Sequence, residues 1–190
     1  MAPKRARDEP AMAAISVDPG LTNLGIAYAT NILKSVSLHD INANAGSQQW
    51  CPSLLAAVVK QIADQVPLAE RPTTQLVIEN QFNLGQYHYG IHEVVGAIIM
   101  EFRKYDITQL RRISPATRNS RLTLAPDASK TSKYRATKQA SINKLNEWLT
   151  QNQNQNHYEH RVILTQLAGM KKKDDVCDAA LNALIATGIL

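Results

Sequence analysis

The sequence predicts a mixed α/β domain, a sheet with helices on both faces, and three observations carry that prediction. Three apolar runs crowd the stretch from Ala14 to Leu38, strand-like and helical spacings alternate from Pro52 onward, and 44% of the 190 residues are apolar, enough for one real core. No internal repeat is visible. No run approaches the roughly 18 apolar residues of a membrane span, and the N-terminus is charged where a secretory peptide needs an apolar region. The chain is expected to be soluble and intracellular.

Met1 to Met12, MAPKRARDEPAM, has two prolines, a basic cluster and no periodicity. It reads as a disordered basic tail (1–12), with the domain spanning 13–190. Lys4, Arg5 and Arg7 match a nuclear import signal. Ala14 to Asp18, Leu24 to Thr30 and Ile32 to Leu38 read as strands, the first two joined by a turn holding Gly20, Thr22 and Asn23. Pro52 suits the first turn of a helix reaching about Val66, with Leu54, Leu55, Val58, Val59 and Ile62 at helical spacing. Thr74 to Asn80, TQLVIEN, is a short buried strand, and a helix follows from Gly90 to Tyr105. Ile107 to Ser114 alternates as a fifth strand that Pro115 stops. A basic, Ser/Thr-rich loop then leads to a helix from about Lys133 to Leu149. After the polar tract TQNQNQNH, helices are expected over Tyr158 to Ala168 and Asp174 to Thr187.

The net charge of +5 is unevenly spread: between Glu101 and Leu145 eleven lysines and arginines face three acids. Such a concentration is the footprint of a polyanion, and the interspersed Ser, Thr and Asn are neutral phosphate donors. Nucleic acid is the expected partner, with Lys133, Arg135 and Lys138 as phosphate contacts. Cys51 and Cys177 show no CxxC or Cys/His spacing, which argues against a zinc module or a disulfide framework and leaves packing roles. His92, in HEVVG, lacks the second histidine of HExxH, and His157 with His160 read as a solvated turn.

Five acids stand out. Asp18 ends the run ISVD and is followed at once by Pro19 and Gly20; Glu79 ends LVIE in the same way. Strand ends are where sites of open α/β sheets form, and a carboxylate near a core is costly without a cation, donors or a proton. Asp18 alone also fits a residue capping its own turn. In KKKDDVCDAALNALIA, Asp175 and Asp178 lie about 60° apart on a helix, beside a stripe of Val176, Ala180 and Leu184. Asp174 and Asp175 alone fit a helix start, but that leaves Asp178 unexplained. Carboxylates gathered in this way suit Mg²⁺ or Mn²⁺ and phosphodiester hydrolysis.

ISVDPGLTNLGIAYA, LVIENQF and KKKDDVCDAALNAL, in that order, resemble the three catalytic motifs of RuvC-type Holliday junction resolvases in the ribonuclease H-like superfamily. KKKDDVCDA is most similar to the mitochondrial and poxvirus-type branch. The resemblance implies a mixed five-stranded sheet flanked by helices, a homodimer, and cleavage of four-way DNA junctions with two Mg²⁺ or Mn²⁺ ions per site. It implies Asp18, Glu79, Asp175 and Asp178 as catalytic metal ligands, with Asp174 as the substitute for Asp175. It also implies that Phe82 stacks at the junction crossover and that Lys171, Lys172 and Lys173 meet phosphate. The helix face of Val94, Val95, Ile98 and Ile99 is the expected dimer surface, and the protein is expected beside genomic DNA in a nucleus, a mitochondrion or a viral replication site. Two other readings stay open: a related nuclease acting on RNA–DNA hybrid or structured RNA, and a non-catalytic junction-binding protein. An actin-like kinase or ATPase needs two such domains, more than 190 residues supply.

Overall fold

The three N-terminal apolar runs form an antiparallel meander, β1 (Ala14–Pro19), β2 (Asn23–Ala29) and β3 (Leu33–Asp40). At the first turn the Gly20 N–H donates to the Asn23 carbonyl at 2.8 Å. A Cβ on Gly20 would stand 2.9 Å from that oxygen, so the turn requires glycine. β4 (Gln75–Glu79) joins the other side of β1 in parallel, and β5 (Gln109–Ile113) joins β4 in parallel, giving the order β3-β2-β1-β4-β5. Parallel neighbours need crossovers. α1 (Pro52–Ala63) leads into β4, and α2 (His88–Arg103) connects β4 to β5. α3 (Pro115–Asn119), α4 (Lys130–Gln151), α5 (His157–Gly169) and α6 (Lys173–Ala186) complete the chain. The computed structural model describes residues 11–44, 49–80, 88–122, 130–152, 157–170 and 172–190. The result is a mixed five-stranded sheet flanked by helices, as the sequence predicts.

Strand alternation sorts the residues onto two faces. Ile15, Val17, Leu24, Ile26, Tyr28, Leu76 and Ile78 meet α1 and α2 in one core. The opposite face carries small residues: Ala14 and Ser16 on β1, and Gly25, Ala27 and Ala29 on β2. That face receives α6, whose buried stretch VCDAALNALIA is itself rich in alanine, with α4 and α5 packed around it.

Several sequence expectations are corrected. Val94, Val95 and Ile98 are at most 5% exposed within one copy of the chain, with Ile99 packed against the same cluster, so this face is core and not a dimer surface. Its periodicity recorded burial against the chain's own sheet. Pro115 does not lead into a loop: Ser114 Oγ accepts from the Thr117 N–H and Pro115 takes the first helical position, which starts α3. Leu68–Thr73 forms a 3₁₀ turn that no apolar spacing announced. His160 is fully buried against Trp148, with ring centroids 5.0 Å apart, and is not part of a solvated turn. Cys177 is buried as expected, whereas Cys51 is partly exposed. Residues 1–10 of the expected tail lie outside the described residues; Ala11 already donates its N–H to the Ala186 carbonyl at 2.9 Å. Among the described residues, no helix is long and apolar enough to cross a membrane.

Ile98→Ala is expected to lower the unfolding free energy by about 2–5 kcal/mol in urea titrations, the cost of a large-to-small change in a packed core. A loss of dimer at unchanged stability, seen by light scattering, would instead make this face an interface.

Candidate active site

Asp18 follows Ala14 and Ser16 in the alternation of β1, which puts it on the α6 face at the C-terminal end of the strand. On β4, Val77 belongs to the small core beneath α6, so Glu79, two residues on, shares that face. The parallel register pairs Val17 with Ile78, which sets the two acids at adjacent strand ends. Across the other edge of β1, Asp18 is paired with Gly25.

Gly25 lets the third element in. A Cβ there would lie 2.5 Å from the Asp175 carbonyl oxygen and 3.0 Å from the Val176 nitrogen. The first turn of α6 therefore rests directly on the β2 backbone, beside Asp18. This turn carries Asp174 and Asp175, favourable at a helix N-terminus, and Asp178 follows one turn later. Glu79 and Asp178 are 7% and 8% exposed, while Asp18, Asp174 and Asp175 are half-buried.

Two cations enter the cluster. Arg118, on α3 just beyond β5, is 5% exposed and sets its Nη1 against Glu79 Oε2 and, at 3.2 Å, Asp178 Oδ2. Lys138, on α4, pairs with Asp174 and lies 3.6 Å from Asp175. Asn182, one turn beyond Asp178, donates from Nδ2 to the same Glu79 oxygen at 3.1 Å. The buried Ser141 hydroxyl on α4 lies near enough to favour the charged form of Asp178 without closing a hydrogen bond.

Burial sets the proton affinities. It pushes Asp18 well above the usual carboxylate range, reinforced by Glu79, Asp178 and Asp175 and opposed by Arg118. Glu79 and Asp178 are raised by burial too, with Arg118 as the main opposing influence. Burial and then the charge of Asp174 raise Asp175. Burial also acts upward on Asp174, but its hydrogen bond and ion pair with Lys138 outweigh that and hold it below the usual range.

The structure thus brings together Asp18, Glu79, Asp175 and Asp178, with Asp174 at the rim. Lys138 turns inward to the acids. Arg135 is exposed on α4, Lys172 is exposed at the start of α6, and Lys173 is partly exposed in its first turn. Phe82, Lys171 and the side chain of Lys133 lie outside the described residues. Arg118 and Asn182 were missed from sequence. Asn182 had a signal, being four residues after Asp178 on one helix face; Arg118 had only the Ser114–Pro115 helix start.

The donor set suits a divalent ion: hard carboxylate oxygens on three elements, with the buried Asp178 Oδ1 and Asn182 Oδ1 lacking any hydrogen-bond partner among the described residues. Among the described residues no three acids are placed to hold a metal ion together, and Arg118 stands between two of the four. The residues fit Mg²⁺ or Mn²⁺ by chemistry and burial.

Two measurements check this geometry. Gly25→Ala is expected to cost about 1–3 kcal/mol in denaturant unfolding, since backbone and not a flexible side chain must give way; an unchanged stability would contradict the close approach. The raised acids favour a bound proton in the native state, so their contribution to stability is present below the ordinary carboxylate range and lost as pH rises through the raised values. In EDTA, Asp18→Asn is therefore expected to raise Tm near about pH 7.5 and to change it little near about pH 4. A variant less stable than wild type at the higher pH would contradict it.

No protein-family model and no curated protein sequence matches the chain. Solved structures do match its fold. RuvC of Thermus thermophilus in complex with a Holliday junction substrate is 17% identical, covers 92% of this chain and 91% of its own, and superposes with a TM-score of 0.54. A second structure of Thermus thermophilus RuvC is 15% identical over 92% of each chain, with a TM-score of 0.51. The chain is similar to these proteins in fold, the ribonuclease H-like arrangement of a mixed five-stranded sheet between helices.

Proposed function

We propose that the chain is a divalent-metal-dependent endonuclease that resolves four-way DNA junctions by paired, symmetric nicks. The observation that carries this is the meeting of Asp18, Glu79, Asp175 and Asp178 at one sheet edge. The RuvC likeness in fold, one of its members holding a Holliday junction substrate, supports the choice of DNA substrate. The motif KKKDDVCDA supports placement near the mitochondrial and poxvirus-type branch, and hence a workplace beside genomic DNA.

Asp18, Glu79, Asp175 and Asp178 would hold Mg²⁺ or Mn²⁺, two ions in the full reading. The chemistry such ions would supply there is polarisation of a phosphodiester and activation of water near neutral pH. The chain's own residues supply the rest. Asn182 fixes the Glu79 carboxylate, and Lys138 restrains Asp174 and Asp175 at the mouth. Arg135 and Lys172 are exposed and Lys173 partly exposed, cations that would meet phosphate, a role the sequence also assigns to Lys133 and Lys171. A two-fold homodimer would present one cluster to each of two symmetry-related strands, through a surface other than the α2 face.

The test is nicking of a synthetic four-way junction in Mg²⁺, with linear duplex, RNA–DNA hybrid and structured RNA as competitors. Symmetric nicks confined to the junction are expected; faster cutting of the hybrid or the RNA would move the substrate to RNA, and binding without cutting would make the chain a junction-binding protein. Asp18→Asn, Glu79→Gln, Asp175→Asn and Asp178→Asn are each expected to lower cleavage at least about a hundredfold while junction binding survives, and Asp174→Asn to be milder. Near wild-type turnover in any of the four removes that residue from the machinery.

A further inference from the structure

Arg118 is the more deeply buried of the two cations that meet the acids among the described residues. Its guanidinium is almost wholly buried and sits between two of the four acids, touching Glu79 Oε2 and Asp178 Oδ2 through the same nitrogen. Arginine cannot shed its proton, so this charge stays wherever the side chain stays. A buried charge must be paired, and among the described residues these two carboxylates are its ion-pair partners. Its Nε is buried without a hydrogen-bond partner among the described residues, and both carboxylates meet it at Nη1. Asp178 Oδ1 is likewise buried and unpartnered. An acid pair with one oxygen of each on an arginine, and one oxygen still unsatisfied, is a cation site already holding a cation of the wrong charge and shape for hard-oxygen coordination.

We infer that Arg118 is the resident counter-cation of the metal-free cluster and competes with the divalent ion for Glu79 and Asp178. Two cations cannot share these oxygens, because each repels the other where the carboxylates attract both. A metal that takes Glu79 Oε2 and Asp178 Oδ2, the two oxygens Arg118 holds, therefore displaces the guanidinium from them, while Asp18 and Asp175, which no arginine touches among the described residues, accept metal without that exchange. The chain consequently stays folded without metal, its buried acids compensated, and binds divalent ion more weakly than the bare carboxylates would allow. Lys138 acts on Asp174 and Asp175 from the other side, but it is a third exposed and its stem is flexible, so it restrains less.

This inference rests on reading the cluster as a metal site, and the test separates the two. Titration calorimetry with Mn²⁺, on the full chain without DNA, compares wild type, Arg118→Gln and Arg118→Lys. Arg118→Gln is expected to bind Mn²⁺ about tenfold more tightly than wild type, the loss of one charge-assisted competitor, and Arg118→Lys to stay close to wild type. The metal-free Gln variant is expected to melt lower than wild type and to gain more in Tm from Mn²⁺. Saturable binding to wild type with equal or weaker binding to Arg118→Gln overturns the inference and leaves the metal site standing. No Mn²⁺ uptake by either overturns both. Should Arg118→Gln fail to fold, wild type answers directly: with ¹⁵N-labelled arginine, the Arg118 Nε–H resonance is expected to shift as Mg²⁺ saturates the protein. A resonance that stays fixed while Mg²⁺ raises Tm shows that the guanidinium never leaves, and overturns the inference.

Discussion

The close approach of α6 to the sheet is the constraint on which the site depends. Ala14, Ser16, Gly25, Ala27 and Ala29 leave almost no side-chain volume on that face, and α6 answers with alanines of its own. The helix can then bring its first turn against the β2 backbone at Gly25, which is paired in register with Asp18. Acids from the two ends of the sequence meet because neither surface carries a large residue to hold them apart. Small-residue packing here sets the distance between carboxylates, in addition to filling a core.

That approach creates an electrostatic problem. Glu79 and Asp178 are nearly out of water and Asp18 is crowded by three other acids, so burial and mutual repulsion oppose ionisation throughout the cluster. The structure answers with Arg118 and Lys138, drawn from α3 and α4, and with Asn182 on Glu79. The residual opposition is visible as raised proton affinity at Asp18, Glu79 and Asp178. α3 has five residues, yet its Ser114 cap and Pro115 start fix where Arg118 enters.

Much of this was legible in the sequence because the informative signals were local. An apolar run ending in an acid before a turn announces both the strand and the placement of Asp18 and Glu79, and the DxxD spacing announces a helix with Asp175 and Asp178 on adjoining faces. What stayed hidden depended on burial, which the sequence does not state. Arg118 is one of eleven basic residues in its segment, and nothing in residue type separates the buried one from those facing solvent. The α2 stripe of Val94, Val95 and Ile98 reads identically as core or as interface, and the sheet decided it. His160 was mistaken because a neighbouring polar tract suggested solvent, whereas Trp148 covers it.

If the acids on β1, β4 and α6 form one divalent-metal site, as proposed, an ion can be located among them. Crystals soaked in Mn²⁺ reveal it by its anomalous scattering. The expected result is anomalous density bounded by Asp18, Asp175 and Asp178, with the guanidinium of Arg118 drawn away from Asp178 Oδ2 and Glu79 Oε2 where density reaches those oxygens. Saturating Mn²⁺ that leaves no density among these carboxylates, with Arg118 still seated on Glu79 and Asp178, would contradict it.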